Sequence, residues 1–172
     1  GKVDRRSLPE PPWASDTPAR APANEREALL CRVMAEVLGR FTNDGSVDGG
    51  SGSLSFLNDV DGSGSFRGNV IFRAGHTIGN GAQRMSFGGG AVQYGDASVL
   101  TLDLLGTEAG TQYDQLADLG SLSFDGELKL VFGTGFNPVA GTTFQLLNFQ
   151  SFSGSLGAAD ITVTGFDRDR LD

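Results

Sequence analysis

The chain has 172 residues, 26 of them glycine, a hydrophobic fraction of 38% and a formal net charge of −8. That length allows one ordinary domain with an appendage, and so much glycine without a Gly-X-Y period excludes collagen and favours turn-rich β-structure over a helical or α/β core. Residues 1–40 hold seven Lys/Arg and six Asp/Glu, whereas residues 41–172 hold six against fifteen, so the second part repels phosphate and no nucleic-acid partner is expected of it.

In chain order the first unit is residues 1–23. Leu8 to Pro22 reads LPEPPWASDTPARAP, and its five prolines fix φ and remove amide donors, so neither helix nor sheet interior runs through it. An extended linker is expected, with Trp13 as its one large apolar side chain. The second unit, residues 24–40, opens on Asn24 as an N-cap with Glu27 in the capping-box position. Leu30, Val33, Met34, Val37 and Leu38 follow at helical spacing, and Gly39 stops the run. The spacing predicts an amphipathic helix over 25–38. Cys31 lies beside its stripe, reads as a small half-buried residue, and as the only cysteine excludes an internal disulfide.

Gly1-Lys2-Val3-Asp4-Arg5, Leu8-Pro9, the Pro-rich linker and the helix ending Glu36-Val37-Leu38-Gly39 together resemble the end of a nonribosomal peptide synthetase adenylation domain and the start of a carrier domain. The resemblance implies that Lys2 matches the lysine that contacts the acyl-adenylate, where an ammonium stabilises charge on a transferring group. The carrier serine does not follow, because the chain continues Phe41-Thr42-Asn43-Asp44-Gly45. A peptide synthetase fragment is therefore the alternative reading, and Lys2 is given no catalytic role.

The third unit, residues 41–172, carries alternating strands set off by Gly, Asn and Asp. Leu54 and Phe56, then Phe66, Val70 and Phe72, mark the first of them. Ser98 to Leu104 alternates best, with Leu100, Leu102 and Leu104 on one face. Leu122 and Phe124 precede the tight-turn pair Asp125-Gly126, and Leu128, Leu130 and Phe132 share the next face. Thr143–Phe149 and Ile161–Val163 are the last expected strands, with Pro138 and Gly141 in the loop before them. The fold class expected is all-β, β-solenoid-like (a right-handed β-helix) or a sandwich, with an N-terminal linker and one α-helix. No apolar run approaches membrane-spanning length.

Gly64-Ser65-Phe66-Arg67-Gly68-Asn69-Val70, Ser86-Phe87-Gly88-Gly89-Gly90, Gly110-Thr111-Gln112-Tyr113-Asp114-Gln115-Leu116, Gly135-Phe136-Asn137-Pro138 and Gly141-Thr142-Thr143-Phe144-Gln145-Leu146-Leu147 resemble autotransporter passenger repeats and PEP-CTERM-type exported proteins. The resemblance implies an extracellular or cell-surface structural or adhesive module without catalytic residues. Its partner would be a surface polymer or another protein, with carbohydrate binding as a second alternative.

No chemical constellation displaces that reading. His76 is the only histidine and reads as a surface or turn residue; with Cys31 it cannot close a zinc site. Asn58 to Gly64 has the composition of a calcium loop, but aligning Gly62 with the obligatory glycine puts Leu57 and Gly68 where acids are needed. Asp114 reads as a turn-ordering residue between Tyr113 and the inward-packed Leu116. Gly88-Gly89-Gly90 lacks the Lys-Ser/Thr of a phosphate loop. No cofactor, metal or catalytic residue is expected.

Overall fold

A computed structural model describes residues 39–166. The expected linker, the helix over 25–38, Lys2, Trp13 and Cys31 lie outside the described residues.

The alternating runs become strands because each places apolar side chains on one face and small polar ones on the other. Twelve form: β1 Arg40–Thr42, β2 Ser46–Phe56, β3 Asp59–Asp61, β4 Ser65–Phe72, β5 Gly75–Thr77, β6 Arg84–Ser86, β7 Ala91–Tyr94, β8 Val99–Leu104, β9 Gln115–Phe124, β10 Glu127–Phe132, β11 Leu147–Gly154 and β12 Ile161–Thr164. One sheet has the order β1-β3-β5-β8-β10-β12. The other runs β11-β9-β7-β4-β2, with β6 also paired to β9. Every ladder between these strands is parallel.

The expected β-solenoid-like or sandwich class is corrected by this arrangement. The described residues form two parallel six-stranded sheets with almost no helix, a single 3-10 turn at Ala158–Asp160 being the helical element. A sandwich of hairpins would need antiparallel ladders. A regular stack of rungs would set one strand on one strand throughout. Here β9 faces β6 over Gln115–Ala117 and β7 over Ser121–Phe124, and register breaks occur in β2 between Asp48 and Ser53 and in β11 between Leu147 and Phe149. The pairing is the all-parallel kind found in α/β sheets, but strands of the opposite sheet take the place of crossover helices.

Asp125-Gly126, expected as a tight turn, turns the chain from β9 to β10, in the other sheet. Glu127 N donates to Ser98 O at 2.9 Å, and a Cβ on Gly126 would collide with Ser98. The expected strand start at Thr143 moves to Leu147.

The core lies between the sheets, where apolar side chains form rows across the strands. Leu54, Val70, Val92, Leu122 and Phe152 are one row. Phe56, Phe72, Tyr94 and Phe124 are the next, with ring centroids 5.7, 5.0 and 5.0 Å apart. Leu100 and Leu128 align from the opposite sheet. The middle of the stack is closed, with Val70, Phe72, Tyr94, Leu100, Leu102, Leu122 and Phe124 all buried.

Beside these rows runs a column of glycines. A Cβ on Gly90 would collide with the Gly68 carbonyl oxygen, and one on Gly120 with the Gly89 carbonyl oxygen. Backbone therefore packs on backbone where β6 gives way to β7 and β9 changes neighbour. Among the described residues the one non-glycine at positive φ is Asp118, at φ 58, whose carbonyl accepts from Gly89 N at 2.6 Å and whose carboxylate accepts from Ser86 Oγ at 2.9 Å.

Candidate functional site

The Tyr113-Asp114-Gln115 segment concentrates the polar chemistry of the described residues. It enters β9 from a loop that lies over β8. Asp114 Oδ1 accepts from Gln83 N and Oδ2 from Asp103 N, each at 2.7 Å. Asp114 N donates to Asp103 O at 2.8 Å, and Gln115 N to Gln83 O at 2.9 Å. On the far side Gln115 Nε2 donates to Gln145 O at 2.8 Å, while Gln145 N donates to Tyr113 Oη at 3.2 Å. Three consecutive side chains thus tie the segments around Gln83, Asp103 and Gln145 together. Leu116, next along, is fully buried, as its place in the alternation requires.

Burial pushes the Asp114 carboxyl up to about 7; the amides of Asp103 and Gln83 pull it down, and the Asp103 charge raises it further. A carboxyl that titrates near neutrality is a common mark of acid–base chemistry. Both of its oxygens here are held by main-chain amides, and it is 1% exposed. What the arrangement does chemically is hold chain segments in register.

His76 is corrected from a surface residue to a core one. It is fully buried, its ring stacks on Phe72 at 4.1 Å, and Nδ1 lies 2.6 Å from Tyr94 Oη. Nε2 is buried without a partner. Desolvation lowers its pKa to about 3, so the imidazole is neutral, and burial raises the Tyr94 phenol. Gly-His-Thr in β5 has no apolar alternation that would have marked position 76 as inward.

The acids of the calcium-like loop are spread among structural partners. Asp59 Oδ1 accepts from Gly75 N at 2.9 Å, and the Asp61 carboxylate pairs with the Arg40 guanidinium. Asp44 Oδ1 accepts from Ser63 N at 3.3 Å. Among the described residues no three His, Cys, Asp or Glu side chains gather as metal ligands. Gly88-Gly89-Gly90 is the bend between β6 and β7.

The outer face of the β2-β4-β7-β9-β11 sheet is a second candidate surface. One row across it is Ser53, Asn69, Ala91, Ser121 and Ser151; the next is Ser55, Ile71, Gln93, Ser123 and Ser153. All five members of the first row are exposed, and neither row carries a charge. The Ala91 amide donates to Asn69 Oδ1 at 3.2 Å. Single strands show this face only as scattered serines; register turns them into rows.

Among the described residues no helix is long and apolar enough to cross a membrane. No family model matches the chain, and neither the curated proteins nor the solved structures contain a match to it, so the two resemblances read from the sequence gain no support there and meet no contradiction.

Proposed function

We propose that residues 41–172 act as a non-catalytic module, exported or displayed at a cell surface, that adheres to a neutral hydroxylated polymer. The observation that carries this reading is the pair of uncharged rows on the outer face of the β2-β4-β7-β9-β11 sheet, in a chain whose net charge is −8. Strand spacing sets neighbouring hydroxyl and amide groups ~4.8 Å apart across the face, with Ala91 interrupting one row and Ile71 the other. Such a surface offers many small hydrogen-bonding groups to a flat partner and repels none by charge. Placement outside the cell rests on the resemblance to exported passenger repeats.

The test is adsorption of the whole chain to insoluble neutral glucan and chitin, compared with the Gln93→Glu/Ser121→Glu variant. Both substitutions sit on exposed positions and leave the core intact. Saturable adsorption that falls at least tenfold in the variant is expected. No adsorption by the parent chain, or equal adsorption by the two, overturns the reading.

A further inference from the structure

The sequence contains one Asn-Gly pair, Asn80-Gly81. It lies in the bend between β5 and β6, where the chain crosses from one sheet to the other. That bend is pinned at both ends. Ile78 is fully buried, and Gly79 N donates to Gly62 O at 3.0 Å. Gln83 N donates to Asp114 Oδ1 at 2.7 Å, and Gln83 O accepts from Gln115 N at 2.9 Å. Between these anchors Asn80 is exposed, and among the described residues neither its side chain nor the Gly81 amide makes a hydrogen bond. The space over Gly81 is open: apart from chain neighbours, a Cβ there would meet only Leu105 Cδ1, at 4.0 Å.

An asparagine side chain holds an electrophilic carbon within ring-closing reach of the next main-chain nitrogen, so attack is intramolecular. Glycine leaves that nitrogen uncrowded and the backbone free to turn toward it. A hydrogen bond on either partner opposes closure, because it must first be broken. The other candidate positions are held in that way or blocked. Asn43 is buried with Nδ2 donating to Ser65 O at 3.0 Å, and Asn69 Oδ1 accepts from Ala91 N at 3.2 Å. Asn137 precedes Pro138, which has no amide proton, and Asn148 precedes the bulky Phe149. Four Asp-Gly pairs could close the same ring, but each carboxylate is engaged: Asp44 by Ser63 N, Asp48 by Gly50 N, Asp61 by Arg40 and Asp125 by Ser155 N.

We propose that Asn80 is a site of spontaneous covalent modification in the folded protein, and that its isoaspartyl product loosens the hold on Asp114. Gly81 N, losing its proton, attacks Asn80 Cγ. The N–Cγ bond forms, the Cγ–Nδ2 bond breaks, and ammonia leaves with that proton. Nothing is oxidised or reduced. Solvent water then opens the cyclic imide. Attack at Cγ restores the ordinary main chain, with aspartate in place of Asn80. Attack at the Asn80 carbonyl carbon leaves the chain running through Cβ and Cγ, as isoaspartate. Both products add one negative charge to a chain of net charge −8. The isoaspartyl product alone lengthens the main chain by one carbon, and it does so between Gly79 and Gln83, whose amide is one of the two that grip Asp114.

Incubating the full chain at mildly alkaline pH in water enriched in heavy oxygen, followed by peptide mapping with mass spectrometry, tests the proposal. The same chain unfolded in guanidinium and an Asn80→Ser variant are run beside it. The substitution changes an exposed position and leaves both anchors in place. Label is expected to enter the Asn80 peptide of the folded chain within tenfold of the unfolded rate, as both products, and to enter every other described asparagine at least tenfold more slowly. Asn80→Ser is expected to abolish it. The isoaspartyl form, separated by ion exchange, is expected to exchange its Gln83 amide at least tenfold faster than an Asn80→Asp variant, which carries the same charge on an ordinary main chain. A folded chain whose Asn80 stays unlabelled while the unfolded chain converts overturns the proposal. So do faster labelling at another asparagine, and equal exchange at Gln83 in the two acidic forms.

Discussion

Two buried ionisable side chains pull the stability of this protein in opposite directions with pH. His76 takes its proton at about 3 in the fold, against an ordinary value of 6.5, so the unfolded chain binds the proton first. Stability from this residue is therefore lost as pH falls from 6.5 toward 3. Asp114 titrates at about 7 against 3.8, so its contribution is present below 3.8 and is lost as pH rises toward 7. His76 is the easier to isolate. Replacing it and its partner together, His76→Phe/Tyr94→Phe, removes the orphaned Nε2 and the Tyr94 hydroxyl at once. Stability at neutral pH is expected to stay within about 1 kcal/mol of the parent, while Tyr94→Phe alone costs about 1–3 kcal/mol by leaving the imidazole with no partner at either nitrogen. Thermal melts at a series of pH values check the assignment: the double variant gains on the parent as pH drops below 6.5. A difference independent of pH means that His76 protonates in the fold. The sequence concealed all of this, because a histidine between Gly75 and Thr77 carries no periodic signal of burial. Asp114 was more legible, since a turn-ordering role asks only for an acid beside main-chain amides.

At the level of strands, apolar alternation was readable and the choice of sheet was not. Leu100, Leu102 and Leu104 face inward as their spacing demands, as does Leu128. Asp125-Gly126 has the local preference of a hairpin, yet Ser98, a residue distant in sequence, accepts the amide of Glu127 and sends the chain to the other sheet. Pairing partners are decided by such tertiary contacts, which a short window of sequence does not contain. The glycine column is the same lesson in steric form. Gly89 and Gly90 look alike in sequence. Gly89, at φ 82, faces open space, whereas a Cβ on Gly90 meets the Gly68 carbonyl. Gly90→Ala is expected to cost on the order of 3 kcal/mol, by forcing two backbones apart. Gly89→Ala is expected to cost about 1–2 kcal/mol, the penalty of a left-handed backbone. Urea midpoints of the two variants decide it; equal losses would mean that the column has no steric role.

For the whole molecule, stability is graded across the two sheets, because inner strands are paired on both sides and edge strands on one. Residues of β4, β7, β8 and β9 have pairing partners on both sides and a closed core, whereas β11 and β12 have one neighbour each. Amide hydrogen exchange should show the slowest rates within Val70–Phe72, Val92–Tyr94, Leu100–Leu104 and Leu122–Phe124, and the fastest strand amides in the edge strands Arg40–Thr42, Ser46–Phe56, Leu147–Gly154 and Ile161–Thr164. Uniform protection would mean that the stack opens as a single unit. The uncharged rows on the outer face belong to this scale as well. They depend on register between residues 16 to 30 apart in the chain, so they are not visible in any one segment.

The strand order also fixes where the chain enters and leaves. β1 and β12 occupy opposite margins of one sheet, five strand spacings apart, which is roughly 24 Å. The module is thus a spacer: its two points of attachment, ahead of β1 and after β12, lie on margins about that far apart. Joining the two ends to circularise the described chain would take about seven extended residues, and anything shorter would have to pull the outermost strands out of their ladders.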